Sequence, residues 1–198
     1  ISSVEKSKKI AVANKESIIC GWPIIQRKLK KFKTKLIPID SEHFSVWKLI
    51  QNVKIKDIDQ IILTASGGPF LNKKYSDVKR IEPKYALKHP NWKMGKKITI
   101  DSATMMNKVF EVIEAKKLFN IDIKKIKILI HPSSYIHAMV KFKNGTIKML
   151  AHDTDMQIPI ANAINENFNY FGDNEIIDLK KINNLNFFKP NVKQFPSL

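Results

Sequence analysis

The chain has 198 residues, 43% of them hydrophobic, enough for one good core or for one domain with pieces of another. It has no apolar run long enough to span a membrane, and its one cysteine, Cys20, excludes an internal disulfide and fits a reducing compartment. The net charge of +17 rests almost wholly on lysine, with Arg27 and Arg80 the only arginines, which argues against a base-reading nucleic-acid protein and favours attraction of a small phosphorylated molecule. The opening residues, ISSVEKSKKIAVANK, carry neither a signal-peptide pattern nor an initiating methionine, so a fragment is expected.

Ile10–Ala13 (IAVA) is an apolar run of the kind buried in a parallel sheet. A helical pattern follows to about Lys31, with Pro23 starting or kinking it. Ligands of open α/β sheets sit beyond the carboxyl ends of strands, which makes Asn14 and Lys15 candidate contacts; the plain alternative is a loop asparagine and a solvated lysine. Lys35–Ile39 (KLIPI) reads as a second strand, ending in Asp40-Ser41-Glu42-His43. Two carboxylates two residues apart suit a hard cation such as Mg²⁺ or Mn²⁺, whereas zinc would want more His or Cys. The same tetrapeptide can cap a helix over Phe44–Ile50, and the two readings can coexist.

Gln51–Asp59 is a lysine-rich surface connection, and Gln60–Ala65 (QIILTA) is a third strand. Ser66-Gly67-Gly68 after it lets the backbone approach an anion, or simply forms a turn with Pro69. Leu71–Leu87 is charged and loosely helical. Lys88–Gly95 sets His89, Trp92 and Met94 in one loop, either a lid over a ligand or a loop anchored on the core. A short strand at Ile98–Ile100, a capped turn at Asp101–Ser102 and a helix to Asn120 come next. At about 100° per residue, Thr104, Asn107, Lys108, Glu111 and Glu114 share one arc of that helix, opposite Met105, Met106, Val109, Phe110, Val112 and Ile113. That arc is either a solvated face or, with the first helical N–H groups, a phosphate pocket with a carboxylate beside it. Lys125–Ile130 is a strand, and His137–Phe142 and Thr146–Leu150 form a hairpin around Asn144-Gly145. A short helical pattern lies within Asp153–Ile164, and Asn165–Leu198 reads as a connecting segment that packs on something without a core of its own.

Taken together, ANKE (Ala13–Glu16), IDSEH (Ile39–His43), LTASGGPF (Leu63–Phe70), KHPNWKMGKKITIDSATMMNK (Lys88–Lys108), EVIEA (Glu111–Ala115), IHPSSYIHAMV (Ile130–Val140) and DMQIPIA (Asp155–Ala161) resemble the 1-deoxy-D-xylulose 5-phosphate reductoisomerase family, in the family's order and over nearly the whole chain from Ile10. The resemblance implies an α/β protein: the end of a Rossmann-like parallel sheet, then an α+β catalytic domain with a mixed sheet and a hairpin. The implied boundaries are residues 1–39 for the end of the NADPH domain, 40–165 for the metal- and substrate-binding domain, and 166–198 for a linker toward a helical domain.

The resemblance also implies roles. Asp40, Glu42 and Glu111 match metal ligands for Mg²⁺ or Mn²⁺, with Co²⁺ also accepted. Lys15, Glu42 and His89 match catalytic positions. Ser66, Ser102, Asn107 and Lys108 match the phosphate cradle, and Lys15, Ser41, Glu42, His89, Trp92 and Glu111 match further substrate contacts, with Ser134 and His137 nearby. Asn14, Lys15, Glu16, Gly95 and Met156 match the NADPH side. The implied reaction is carbon–carbon cleavage and re-addition followed by hydride transfer, giving 2-C-methyl-D-erythritol 4-phosphate. A homodimer is expected, without nucleic acid or membrane, in a bacterial cytoplasm or a plastid. Departures are Val109, where the family has glycine, a shortened His43–Leu63 segment, and no glycine-rich dinucleotide fingerprint before Ile10. These keep open an inactive fragment with poor metal and phosphate binding and almost no NADPH binding. The same carboxylates and phosphate loops would also serve a non-redox metal-dependent phosphosugar aldolase or isomerase, and the scattered lysines would serve a non-catalytic basic binding module.

Overall fold

The computed structural model describes residues 2–78, 80–165 and 178–198. After a one-turn helix α1 (Ser2–Glu5), the first two apolar runs form β1 (Lys9–Val12) and β2 (Lys35–Pro38), a parallel pair in which Ile10 faces Leu36. The crossover between them is α2 (Lys15–Phe32), and Asn14 caps it by accepting from the Ser17 N–H at 2.8 Å. Pro23 lies inside α2 without ending it.

The second sheet has four strands in the order β4-β3-β5-β6. β3 (Ile58–Ala65) pairs parallel with β4 (Ile126–Ile130) and antiparallel with β5 (Ile136–Phe142), which forms the Asn144-Gly145 hairpin with β6 (Ile147–Ala151). β3 starts two residues earlier than the sequence pattern indicates, directly after a 3₁₀ turn at Ile55–Asp57. Its residues Ile58, Ile61 and Leu63 are fully buried with Val46 of α3 (Ser41–Leu49) and with Ala115 and Phe119 of α7 (Met106–Phe119). Between β3 and α7 lie the short helices α4 (Tyr75–Val78) and α5 (Pro83–Ala86) and the two-turn helix α6 (Lys96–Ala103). α8 (Gln157–Ile164) and α9 (Leu179–Asn183) complete the chain order.

The expected strand at Ile98–Ile100 is corrected: these residues are the middle of α6. Ile98 and Ile100 are 36% and 42% exposed, so no sheet edge rewards an extended backbone there. Lys97 and Asp101 instead pair at 2.7 Å across one helical turn. Asp101 and Ser102 therefore do not cap the following helix. The cap position of α7 is Met105, in the left-handed region at φ 61°, with no side-chain cap. Of the C-terminal segment, residues 166–177 lie outside the described residues; the remainder pairs Phe188 with Ile130 and buries Phe195.

Candidate active site

β1 and β2 end side by side, which brings Lys15 and Asp40 to one place. Asp40 stands at the cap position of α3, but its side chain caps nothing; it turns to the Lys15 ammonium at 2.8 Å. α7 packs its polar arc inward: Lys108, Glu111 and Glu114 are buried, while Met106, Val109, Phe110 and Ile113 are only partly so. Lys15 Nζ also donates to Asn107 Oδ1 at 2.9 Å and Glu111 Oε1 at 3.0 Å. Lys108 Nζ reaches Glu42 Oε1 at 2.9 Å and also contacts Glu111. The Ser41 hydroxyl donates to Glu42 Oε2 at 2.7 Å.

One oxygen each from Asp40, Glu42 and Glu111 lies within 4.8 Å of the others. Asp40 Oδ1 is buried and makes no well-formed hydrogen bond among the described residues. An all-oxygen donor set with an unsatisfied carboxylate oxygen fits a hard divalent cation. Charge agrees. Four carboxylates, counting Glu114, surround two ammonium groups, and the excess is felt by the carboxyls. Burial, then the charge of Glu111, pushes Glu42 up to about 7, and burial likewise raises Glu114 to about 7. Burial disfavours the Lys15 ammonium, but Asp40 and Glu111 outweigh it and hold its pKa above the ordinary lysine value. Lys15 thus acts as a fixed cation.

Behind this cluster stands His43, for which the sequence pattern indicates no role. Its Nε2–H donates to the Glu111 carbonyl at 2.9 Å, and its Nδ1 lies 3.3 Å from both Asp40 Oδ1 and Glu114 Oε2. Burial opposes a charge on the ring, yet Glu114 and Asp40 raise its pKa to about 9. His43 therefore ties the strand-end carboxylate to the turn of α7 that carries Glu111. The i, i+3 spacing of Glu111 and Glu114 is a legible signal for the second carboxylate; nothing comparable marks the histidine.

The cleft, open to solvent and with a cavity volume of about 230 Å³, is lined by Lys15, Asp40, Ser41, Glu42, Asn107, Lys108 and Glu111. Ser66, Gly67, Gly68, Ser102 and Met105 line it too, together with His89, Trp92, Met94, Ser134, His137 and Met156. Gly67 and Gly68 have φ of 86° and 66°, and a Cβ on Gly68 would stand 2.8 Å from the Ser102 carbonyl oxygen. The loop needs glycine there to lie against the α6–α7 turn.

His89 Nδ1 accepts the N–H groups of Asn91 at 3.2 Å and Trp92 at 2.9 Å, which places the ring proton on Nε2, 3.1 Å from Ser66 Oγ. The Gly68 N–H also donates to that oxygen, at 3.2 Å. With two bonds accepted, the Ser66 hydroxyl is left to donate its own hydrogen. The His89 loop is anchored: Asn91 donates to the Pro132 carbonyl at 2.6 Å and Ser134 Oγ at 2.9 Å, and Trp92 meets His137 edge-on at 6.0 Å. Asn14, Glu16 and Gly95 lie off the cleft lining; Glu16 accepts from Asn14 at 3.1 Å and pairs with Lys97 at 2.6 Å.

Residues 36–119 match the family model of the 1-deoxy-D-xylulose 5-phosphate reductoisomerase C-terminal domain. The chain is 57% identical to the 1-deoxy-D-xylulose 5-phosphate reductoisomerase of Pelagibacter ubique, over 98% of this chain and 50% of that protein. It is 47% identical to that of Sulfurihydrogenibium sp., over 97% of this chain and 50% of that protein. A crystal structure of DOX-P reductoisomerase in complex with NADPH, fosmidomycin and magnesium superposes with a TM-score of 0.90 at 35% identity, covering all of this chain and 51% of that one. The Zymomonas mobilis reductoisomerase in complex with NADPH gives 0.88 at 35% identity, over 99% of this chain and 50% of that one. The chain spans about half the length of the curated relatives it matches. Over that span, it belongs to the 1-deoxy-D-xylulose 5-phosphate reductoisomerase family.

Proposed function

We propose that the chain carries the cation- and phosphate-binding part of an NADPH- and divalent-metal-dependent reductoisomerase that converts 1-deoxy-D-xylulose 5-phosphate to 2-C-methyl-D-erythritol 4-phosphate. The observation that carries this reading is the meeting of Asp40, Glu42 and Glu111 in the same cleft as Ser66, Ser102 and Asn107. On this reading residues 1–39 end an NADPH-binding domain, 40–165 form the catalytic domain, and 166–198 are a linker.

Asp40, Glu42 and Glu111 would hold Mg²⁺ or Mn²⁺, and Asn14, Glu16, Gly95 and Met156 would face NADPH. When bound, the cation supplies Lewis acidity to neighbouring hydroxyketone oxygens and NADPH supplies the hydride. Ser66 donates to the substrate phosphate, its hydroxyl aimed by His89; Ser102 and Asn107 flank it. His89, neutral because burial lowers its pKa, acts as an orienting group for that serine. Lys15 offers a permanent positive charge beside the reacting oxygens. Lys108, engaged by Glu42 and Glu111, stands between the cation site and the cradle. Trp92 and Met94 exclude water from the cleft. Phosphate binding far from the reacting carbons supplies positioning.

A homodimer and a bacterial cytoplasmic setting belong to the same reading. The test follows NADPH absorbance in the full-length enzyme given 1-deoxy-D-xylulose 5-phosphate and Mn²⁺. Consumption of NADPH that is lost in Glu111→Gln supports it. Substrate turnover with NADPH untouched would replace it with the non-redox aldolase or isomerase reading.

A further inference from the structure

The segment 184–198 contributes none of the ligand, cation or nucleotide contacts described above, and past Asn183 it forms only one isolated bridge and turns. It nevertheless grips the anion-binding part of the cleft. The His131 ring stacks on Phe187 at 4.4 Å and donates from Nδ1 to the Asn186 carbonyl at 2.9 Å. The Gln194 amide nitrogen reaches the carbonyls of Phe70, Leu71 and Lys73 at 2.6, 2.9 and 2.9 Å, fastening the turn that leaves the Ser66–Gly68 loop. Phe195, 3% exposed, packs against Ala65, Met105 and Ile130. The Ser197 hydroxyl donates to the Thr104 carbonyl at 2.6 Å.

The Gln194, Phe195 and Ser197 contacts fall on the two walls of the cradle, while His131 ties the segment to the end of β4. One wall is the glycine loop, which has no sheet ladder to hold it. The other is the α6–α7 turn, where Met105 occupies a left-handed backbone (φ 61°) that residues other than glycine rarely adopt. The walls touch through Gly68 and Ser102. We propose that residues 186–198 are a strap that sets the spacing of the phosphate cradle, with Gln194 and Phe195 as positioning residues for anion affinity and with no part in cation binding. The inference rests on the phosphate reading of that part of the cleft.

The experiment measures two dissociation constants on the full chain: inorganic phosphate by calorimetry and Mn²⁺ by electron paramagnetic resonance. Gln194→Met keeps the length and removes both donors. It is expected to weaken phosphate about tenfold, as expected for a misplaced binding group, and to leave Mn²⁺ within about twofold. Ser197→Ala removes one tie at the surface without threatening the fold, and is expected to weaken phosphate in the same direction by a smaller factor. In the full-length enzyme both variants raise KM and spare kcat. Equal weakening of phosphate and Mn²⁺, or unchanged phosphate in both variants, overturns the strap. Absence of phosphate binding by the unaltered protein overturns the cradle reading and the strap together.

Discussion

A carboxylate just past a strand can cap a helix or hold a cation, and its neighbours decide which. Asp40 has the capping position but not the capping bond, because Lys15 takes one oxygen and His43 approaches the other. His43 and Glu114 fix the direction in which Asp40 points, as supports behind a metal ligand do. Glu114→Gln, which acts on the proposed ligand Asp40 through His43, is expected to weaken Mn²⁺ about tenfold, measured by electron paramagnetic resonance. The raised pKa of Glu42 makes a second prediction. In the cation-free protein Glu42 keeps its proton between its ordinary 4.5 and about 7, where an unfolded chain has lost it. Its contribution to stability is therefore present below 4.5 and lost as pH rises through 7. A cation competes with that proton, so Mn²⁺ affinity should rise about tenfold from pH 6 to 8, about fivefold of it below pH 7, and level off above. A flat profile over that range would count against Glu42 as a ligand.

At the level of elements, α7 is amphipathic the wrong way round for a surface helix. Its charged arc is buried because α2 and α3 present Lys15, His43 and the Asp40 strand end to it, so each charge finds an opposite partner. The α6–α7 turn and the Ser66–Gly68 loop form the other working contact. Gly68→Ala would force a Cβ to within 2.8 Å of a backbone oxygen at φ 66°. The expected cost is about 1–3 kcal/mol in urea unfolding, together with weaker phosphate binding. Loss of stability without loss of phosphate affinity would separate the loop from the cradle.

For the whole molecule, the four-stranded sheet ends at β6, an edge strand whose Ile147 and Met149 are 52% and 51% exposed. Such an edge invites pairing with another strand. If the proposed homodimer forms across it, Ile147→Lys should shift sedimentation from dimer to monomer while leaving Mn²⁺ affinity unchanged. No described helix is long and apolar enough to cross a membrane. Much of the architecture was legible in the chain itself. The runs IAVA, KLIPI, QIILTA and KIKILI are strands because a buried strand is short and uninterrupted. The chemistry-bearing residues sit just beyond them, because backbone groups at strand ends are free to meet ligands. The residue types also suit a hard cation beside an anion, although the same residues suit a helix cap and a solvated face. The tertiary structure alone decided three other matters. KITI is a helix for want of a sheet edge; His43 and Glu114 are a support and not a surface; Gln194 and Phe195 reach back to a loop more than a hundred residues earlier. Each depends on which side chain lies across a gap between distant elements, and local pattern carries periodicity along one segment, not the identity of the partner that packs against it.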